Sequence, residues 1–114
     1  MTTRSGQGTY FHSVVEHGDT LYLSGVVADD FSASMGVQTK QVLDKIGQTL
    51  TNYGSDASKI LSATVYISDF GQKNAMNEAW QAWFTAAELP ARATVGVASL
   101  GEGVLVEIVV IAAR

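Results

Sequence analysis

Pro90-Ala91-Arg92-Ala93-Thr94-Val95-Gly96-Val97-Ala98-Ser99-Leu100, the turn Gly101-Glu102-Gly103, and Val104-Leu105-Val106-Glu107-Ile108-Val109-Val110-Ile111-Ala112 make two apolar runs about a glycine-bounded turn. The second run is nearly continuously apolar, the pattern of a strand covered on both faces. Each run carries one charge foreign to a sheet core. Arg92 opens the first, two residues after the only proline of the chain. Glu107 lies inside the second, between Val106 and Ile108. An ionised carboxylate there is costly unless a partner neutralises it or a reaction uses it.

Both charges admit a plain reading and a functional one. Arg92 is either a surface arginine or ion-pair partner at a strand start, or a clamp whose planar guanidinium grips a carboxylate with two parallel hydrogen bonds. Glu107 is either a solvent-facing residue of an edge strand, since alternate residues point opposite ways, or a group in use. A tight hairpin turning at Gly101 and Glu102 would set Glu107 opposite Gly96, about 13 Å along the strand from Arg92 at ~3.3 Å per residue. Two arrangements remain: the last strand pairs elsewhere in the sheet, or a site draws Arg92 and Glu107 from different subunits. The apolar character of the last strand favours an interior position.

Outward from this stretch, the periodicity changes several times. Residues 1 to 8 are polar and are expected to be loose. Tyr10 to Val15 and Thr20 to Val26 are β-rich runs joined by His17-Gly18-Asp19, which predicts a hairpin. Between Ser34 and Tyr53, the residues Met35, Val42, Leu43, Ile46, Leu50 and Tyr53 fall on one helical stripe. Gly54 is placed to end that helix in a left-handed conformation. Ile60 to Ile67 is a strand. Asp69 and Gln72 stand in capping-box spacing before a second helix expected to reach Ala87, with Met76, Ala79, Trp80, Trp83, Phe84 and Ala87 as its stripe. The resulting order, β-β-α-β-α-β-β, is an α+β arrangement satisfied by a mixed sheet with both helices packed on one face. The 114 residues are expected to form one domain.

Composition removes several functions. The net charge is −4, and seven Lys and Arg scattered along the chain leave no basic footprint for nucleic acid. No cysteine is present, which rules out a disulfide framework, a thiolate nucleophile and a cysteine metal site. No leader pattern opens the chain and no apolar run reaches membrane length, so the expectation is a cytoplasmic protein with no membrane partner. Charged residues make up only 16%, low for a small monomer and suggestive of surface covered by partners.

The Pro-x-Arg segment, the glycine turn and the apolar-Glu-apolar segment, with fifteen residues from Arg92 to Glu107, resemble the signature of the reactive-intermediate deaminase (Rid, or YjgF) family. Leu21-Tyr22-Leu23-Ser24-Gly25, Thr64-Val65-Tyr66-Ile67-Ser68-Asp69-Phe70 and Met76-Asn77-Glu78-Ala79-Trp80 extend the likeness over nearly the whole chain. The resemblance implies a chorismate-mutase-like fold and a homotrimer with clefts between subunits. It also implies hydrolysis of reactive 2-imino acids, such as 2-iminopropanoate and 2-iminobutanoate, to 2-keto acids and ammonia, with no metal or cofactor. Arg92 would then hold the substrate carboxylate and Glu107 would position the attacking water. Thr94 would offer its backbone N–H where many relatives have cysteine, and Ser24-Gly25 would lie at the cleft. Relatives commonly carry a tyrosine thirteen residues before that serine; here the position is Phe11, with Tyr10 beside it.

Competing readings stand next to these. Ser24 is also an ordinary turn serine. Trp80, Trp83 and Phe84 read as core. His12 and His17 read as surface residues with no third metal-type partner, and a triad of Ser13, His12 and Asp19 has no supporting motif. The alternative to an enzyme is a non-catalytic protein on the same trimeric fold that binds small carboxylates; fold resemblance does not fix chemistry.

Overall fold

Thr2–Gln7, the stretch expected to be loose, is the first strand (β1) of the sheet in the computed structural model, which describes all 114 residues. It lies antiparallel to β2 (His12–His17), with Thr2 opposite His17 and Gln7 opposite His12. Its side chains are polar and mostly exposed, so backbone hydrogen bonding alone holds it and no apolar alternation announces it. The turn Gly8 to Phe11 precedes β2, which therefore starts two residues later than the expected Tyr10.

The run Thr20 to Val26 is two strands. β3 (Thr20–Leu23) pairs with β2 and with the last strand, β7 (Val106–Ala113). β4 (Val26–Val27) pairs only with β7. The registers differ: Tyr22 faces Ile111, whereas Val26 faces Ile108. One extra residue is therefore accommodated at Ser24-Gly25, a bulge that interrupts the strand.

Helix α1 (Met35–Asn52) begins where Ser34 accepts the Val37 N–H on its hydroxyl at 3.4 Å. Its stripe Met35, Val42, Leu43, Ile46 and Leu50 is fully buried. Gly54 follows with φ +77°, the expected left-handed stop. Gln38 is buried with it and bridges three segments: its amide donates to the Ala33 and Gly103 carbonyls and accepts from the Leu105 N–H. β5 (Ile60–Ile67) falls on the predicted residues. Asp69 caps a single 3-10 turn rather than α2 itself; Gln72 donates to the Asp69 side chain, and α2 (Lys73–Trp83) follows. α2 stops four residues short of Ala87 because Phe84 turns extended and inward, stacking near Trp80 (centroids 4.7 Å apart) in the core.

β6 (Ala91–Gly96) runs parallel to β5, and β7 runs antiparallel to it, giving the order β1-β2-β3-β7-β5-β6 with β4 beside β7. The two closing runs are thus not a hairpin; β5 lies between them. Val106, Ile108, Val110 and Ala112 of β7 are buried under the helices, while Glu107, Val109, Ile111 and Ala113 face the other side. That face bears no helix. The last strand is interior to the sheet, as its apolar run implied, but within one chain it is covered on one face only.

Candidate active site

Glu107 sits beside the bulge. It pairs with Val27 on one side and Tyr66 on the other, so its carboxylate rises from the open face near the sheet centre. Gly25 makes room for it: a Cβ at that position would stand 2.8 Å from Glu107 Cδ and closer still to Oε2. Ser24 donates its backbone N–H to the Ser13 carbonyl at 3.0 Å. This ties the bulge to the start of β2 and hence to the preceding turn, where Tyr10 is 92% and Phe11 63% exposed. Neither aromatic packs on its own chain's core. Glu107, Ser24, Gly25, Tyr10 and Phe11 therefore belong to one region of the molecule. Lys45 supports the helix side of the bulge, donating to the Val27 carbonyl at 2.8 Å and to Asp29 at 3.0 Å.

Arg92 belongs to another region. It stands opposite Ala63, a core residue, and so points to the helix face. Its Nη2 donates to Asn77 Oδ1 at 2.7 Å, its Nη1 to Met76 Sδ at 3.6 Å, and its guanidinium carbon lies 5.0 Å from the Trp80 ring centre. The three ion pairs of the chain are Lys40–Asp44, Lys45–Asp29 and Arg114–Glu16; Arg92 has no carboxylate partner. Burial pushes its guanidinium below the ordinary arginine value, yet a guanidinium stays charged at neutral pH. Asn77, Trp80, Leu89, Pro90 and Arg92 line a cleft of 340 Å³ at the β6 edge. Thr94 lies two residues along the same strand, opposite Val65.

Arg92 and Glu107 do not meet within the chain. Arg92 is level with Ala63 and Val110, three residues from Glu107 on the neighbouring register. That separation is about 10 Å along the strands and about 10 Å across two strand spacings, with the side chains on opposite faces. A small substrate gripped at one end by Arg92 cannot reach Glu107 of the same copy.

The remaining candidates are structural or unconnected. Trp80 and Phe84 are core, as read; Trp83 is half-buried between the helices, against Gly47, with its indole N–H on Asp44 at 2.9 Å. His17 hydrogen-bonds Thr2 across β1 and β2. No three His, Cys, Asp or Glu side chains gather as a metal-binding group. No helix is long and apolar enough to cross a membrane. The largest depression, 520 Å³ between α1 and α2, is lined by Gly36, Ala75, Ala79 and Trp83 among others and contains neither Arg92 nor Glu107. Sequence reading overlooked Met76 and Asn77 as companions of Arg92. Their place four and three residues before Trp80 on one helix was the available signal, since residues at those spacings share a helix face.

The endoribonuclease L-PSP family profile matches residues 2–114. RutC family protein YoaB of Escherichia coli (strain K12) is 39% identical over 100 residues, covering 88% of this chain and 87% of its own. A 2-iminobutanoate/2-iminopropanoate deaminase of Mus musculus is 33% identical over 110 residues, covering 91% and 81%. A crystal structure of a YjgF family member from Neisseria meningitidis superposes with a TM-score of 0.94 at 31% identity, over 100% of this chain and 95% of that one.

Proposed function

Because the chain belongs to the endoribonuclease L-PSP family, the same family as the YjgF, RutC and Rid proteins, we propose that it hydrolyses reactive 2-imino acids to 2-keto acids and ammonia. The observation that carries this reading is the unpaired Arg92 guanidinium beside an open cleft. A half-buried cation without a counter-charge is costly in isolation, and a small carboxylate supplies what is missing. Net charge −4 and the absence of a basic patch argue against an RNA substrate.

The reaction asks for little. Water adds to the carbon of the C=N bond, forming a carbinolamine. Its C–N bond then breaks, the oxygen becomes the keto oxygen, and nitrogen leaves as ammonia. Glu107 takes a proton from the attacking water and returns one to the departing nitrogen, a general base and then a general acid. Arg92 holds the carboxylate so that the imine carbon faces that water, and much of the rate comes from this positioning. Ser24, Gly25 and the Thr94 backbone N–H border the bound acid.

Since the two groups lie apart in one copy, the working cleft takes Arg92 and Thr94 from one subunit and Glu107, Ser24, Gly25 and the Tyr10-Phe11 turn from its neighbour. The open sheet face supports such packing: Val15, Tyr22, Tyr66, Val109 and Ile111 leave it apolar, with Tyr22 44% exposed. A homotrimer is the assembly proposed.

The test is ammonia release from freshly generated 2-iminopropanoate by wild type and Arg92→Ala. Turnover in wild type and none in a folded Arg92→Ala is expected; equal turnover in both sinks the clamp. Absent turnover in wild type, together with tight pyruvate binding, would favour the non-catalytic carboxylate-binding reading.

A further inference from the structure

The surroundings of Arg92 are neutral throughout: an amide oxygen, a thioether and an indole face. Each is attracted to a cation and none cancels its charge. Asn77 fixes one edge of the guanidinium through a 2.7 Å hydrogen bond, and Trp80 lies against its face. A guanidinium has five N–H donors. Asn77 occupies one and Met76 engages a second weakly, so three remain for an incoming anion.

The same grip from aspartate would have a different result. Aspartate has the shape of asparagine and would hold the guanidinium more firmly, but it would neutralise it in place. An ion pair already formed then competes with the substrate carboxylate for both charge and donors.

We infer that Asn77 is the positioning residue of the carboxylate clamp, and that its function depends on being an uncharged acceptor that orients Arg92 while leaving its charge free for the substrate. The inference rests on the proposed role of Arg92. Trp80 serves the same end from the ring side, and Met76 completes a wall with no anion in it.

The experiment is calorimetric binding of pyruvate and 2-oxobutanoate to the full-length protein, beside thermal melting, for wild type, Arg92→Ala, Asn77→Asp and Asn77→Ala. Asn77→Asp is expected to melt at or above the wild-type temperature while its affinity falls by about tenfold or more, the worth of one charge-assisted contact. Asn77→Ala frees the guanidinium to wander and should lose about threefold. In turnover assays Asn77→Asp should raise KM far more than it lowers kcat, a split that a merely structural asparagine would not give. If Asn77→Asp binds pyruvate as wild type does while Arg92→Ala does not, the inference is overturned and the clamp stands. If wild type and Arg92→Ala bind pyruvate alike, the clamp itself is wrong and the inference goes with it. Should Asn77→Asp fail to fold, Asn77→Ala decides: an unchanged affinity overturns the role of Asn77.

Discussion

At the scale of single residues, Glu107 and Gly25 form one device. Gly25 requires no unusual backbone angle; it is constrained by the carboxylate packed on it. Gly25→Ala should therefore fold, because the obstructing atoms are the end of a flexible side chain that can swing aside. The swing displaces the proposed base, so kcat for imine hydrolysis should fall while the melting temperature stays near that of wild type; an unchanged kcat would detach the bulge from catalysis. Glu107→Gln keeps the shape and removes the base. A loss of about 10²-fold in kcat is expected, with calorimetric binding of 2-oxobutanoate kept. Both charges were legible because each interrupts an apolar run. That a hairpin of the two runs would hold them about 13 Å apart was legible too; that β5 lies between the two strands, and that the side chains face opposite ways, was not. Neither fact is written in residues 90 to 112 alone.

Among the elements, those with a periodic apolar face were legible and those without were not. Five of the six predicted stripe residues lie in α1 and all five are fully buried; the sixth, Tyr53, is its C-cap and packs against the core half-buried. β1 has no such stripe and is a strand only because β2 offers its edge. The α2 terminus was misjudged because Ala87 continues the helical spacing, whereas Phe84 gains more by turning into the core. The contact between the helices carries a prediction of its own. Asp44 is held below the usual carboxylate range, first by the Lys40 hydrogen bond and then by the Trp83 indole N–H. A carboxyl whose folded pKa lies below its unfolded value stabilises the fold above the unfolded value, about 3.9, and loses that contribution as pH falls through the folded one. Acid titration below pH 4 should thus loosen the α1–α2 contact. Trp83 emission should report the change, and Asp44→Asn should remove that part of the titration; an unaltered profile in the variant would assign the transition elsewhere.

The whole molecule measures 42 × 37 × 20 Å, a slab one sheet and one helix layer thick. A slab of this kind has one covered face and one bare one, and the low charged fraction fits a bare face that meets other copies. Light scattering at micromolar concentration should give about 36 kDa, three times the 12.1 kDa chain; a stable 12.1 kDa species would leave the cleft without its second wall. The α+β class, the two helices and the central place of the last strand could all be read from the sequence. That β7 carries half of its apolar side chains onto a face no helix of the chain covers could not be, because an apolar run does not record which of its faces the chain itself packs.

The placement of Arg92 and Glu107 on opposite faces also has a genetic consequence. Two null alleles of this gene, one coding for Arg92→Ala and one for Glu107→Gln, should complement each other. In a mixed trimer, a cleft that takes its arginine from the Glu107→Gln chain and its glutamate from the Arg92→Ala chain is intact. Random assembly from equal amounts makes about a quarter of the clefts whole. Co-expressing the two inactive chains should therefore restore about a quarter of wild-type turnover. If instead the mixture stays as inactive as its parts, each cleft must draw both residues from one chain, against the geometry of the sheet.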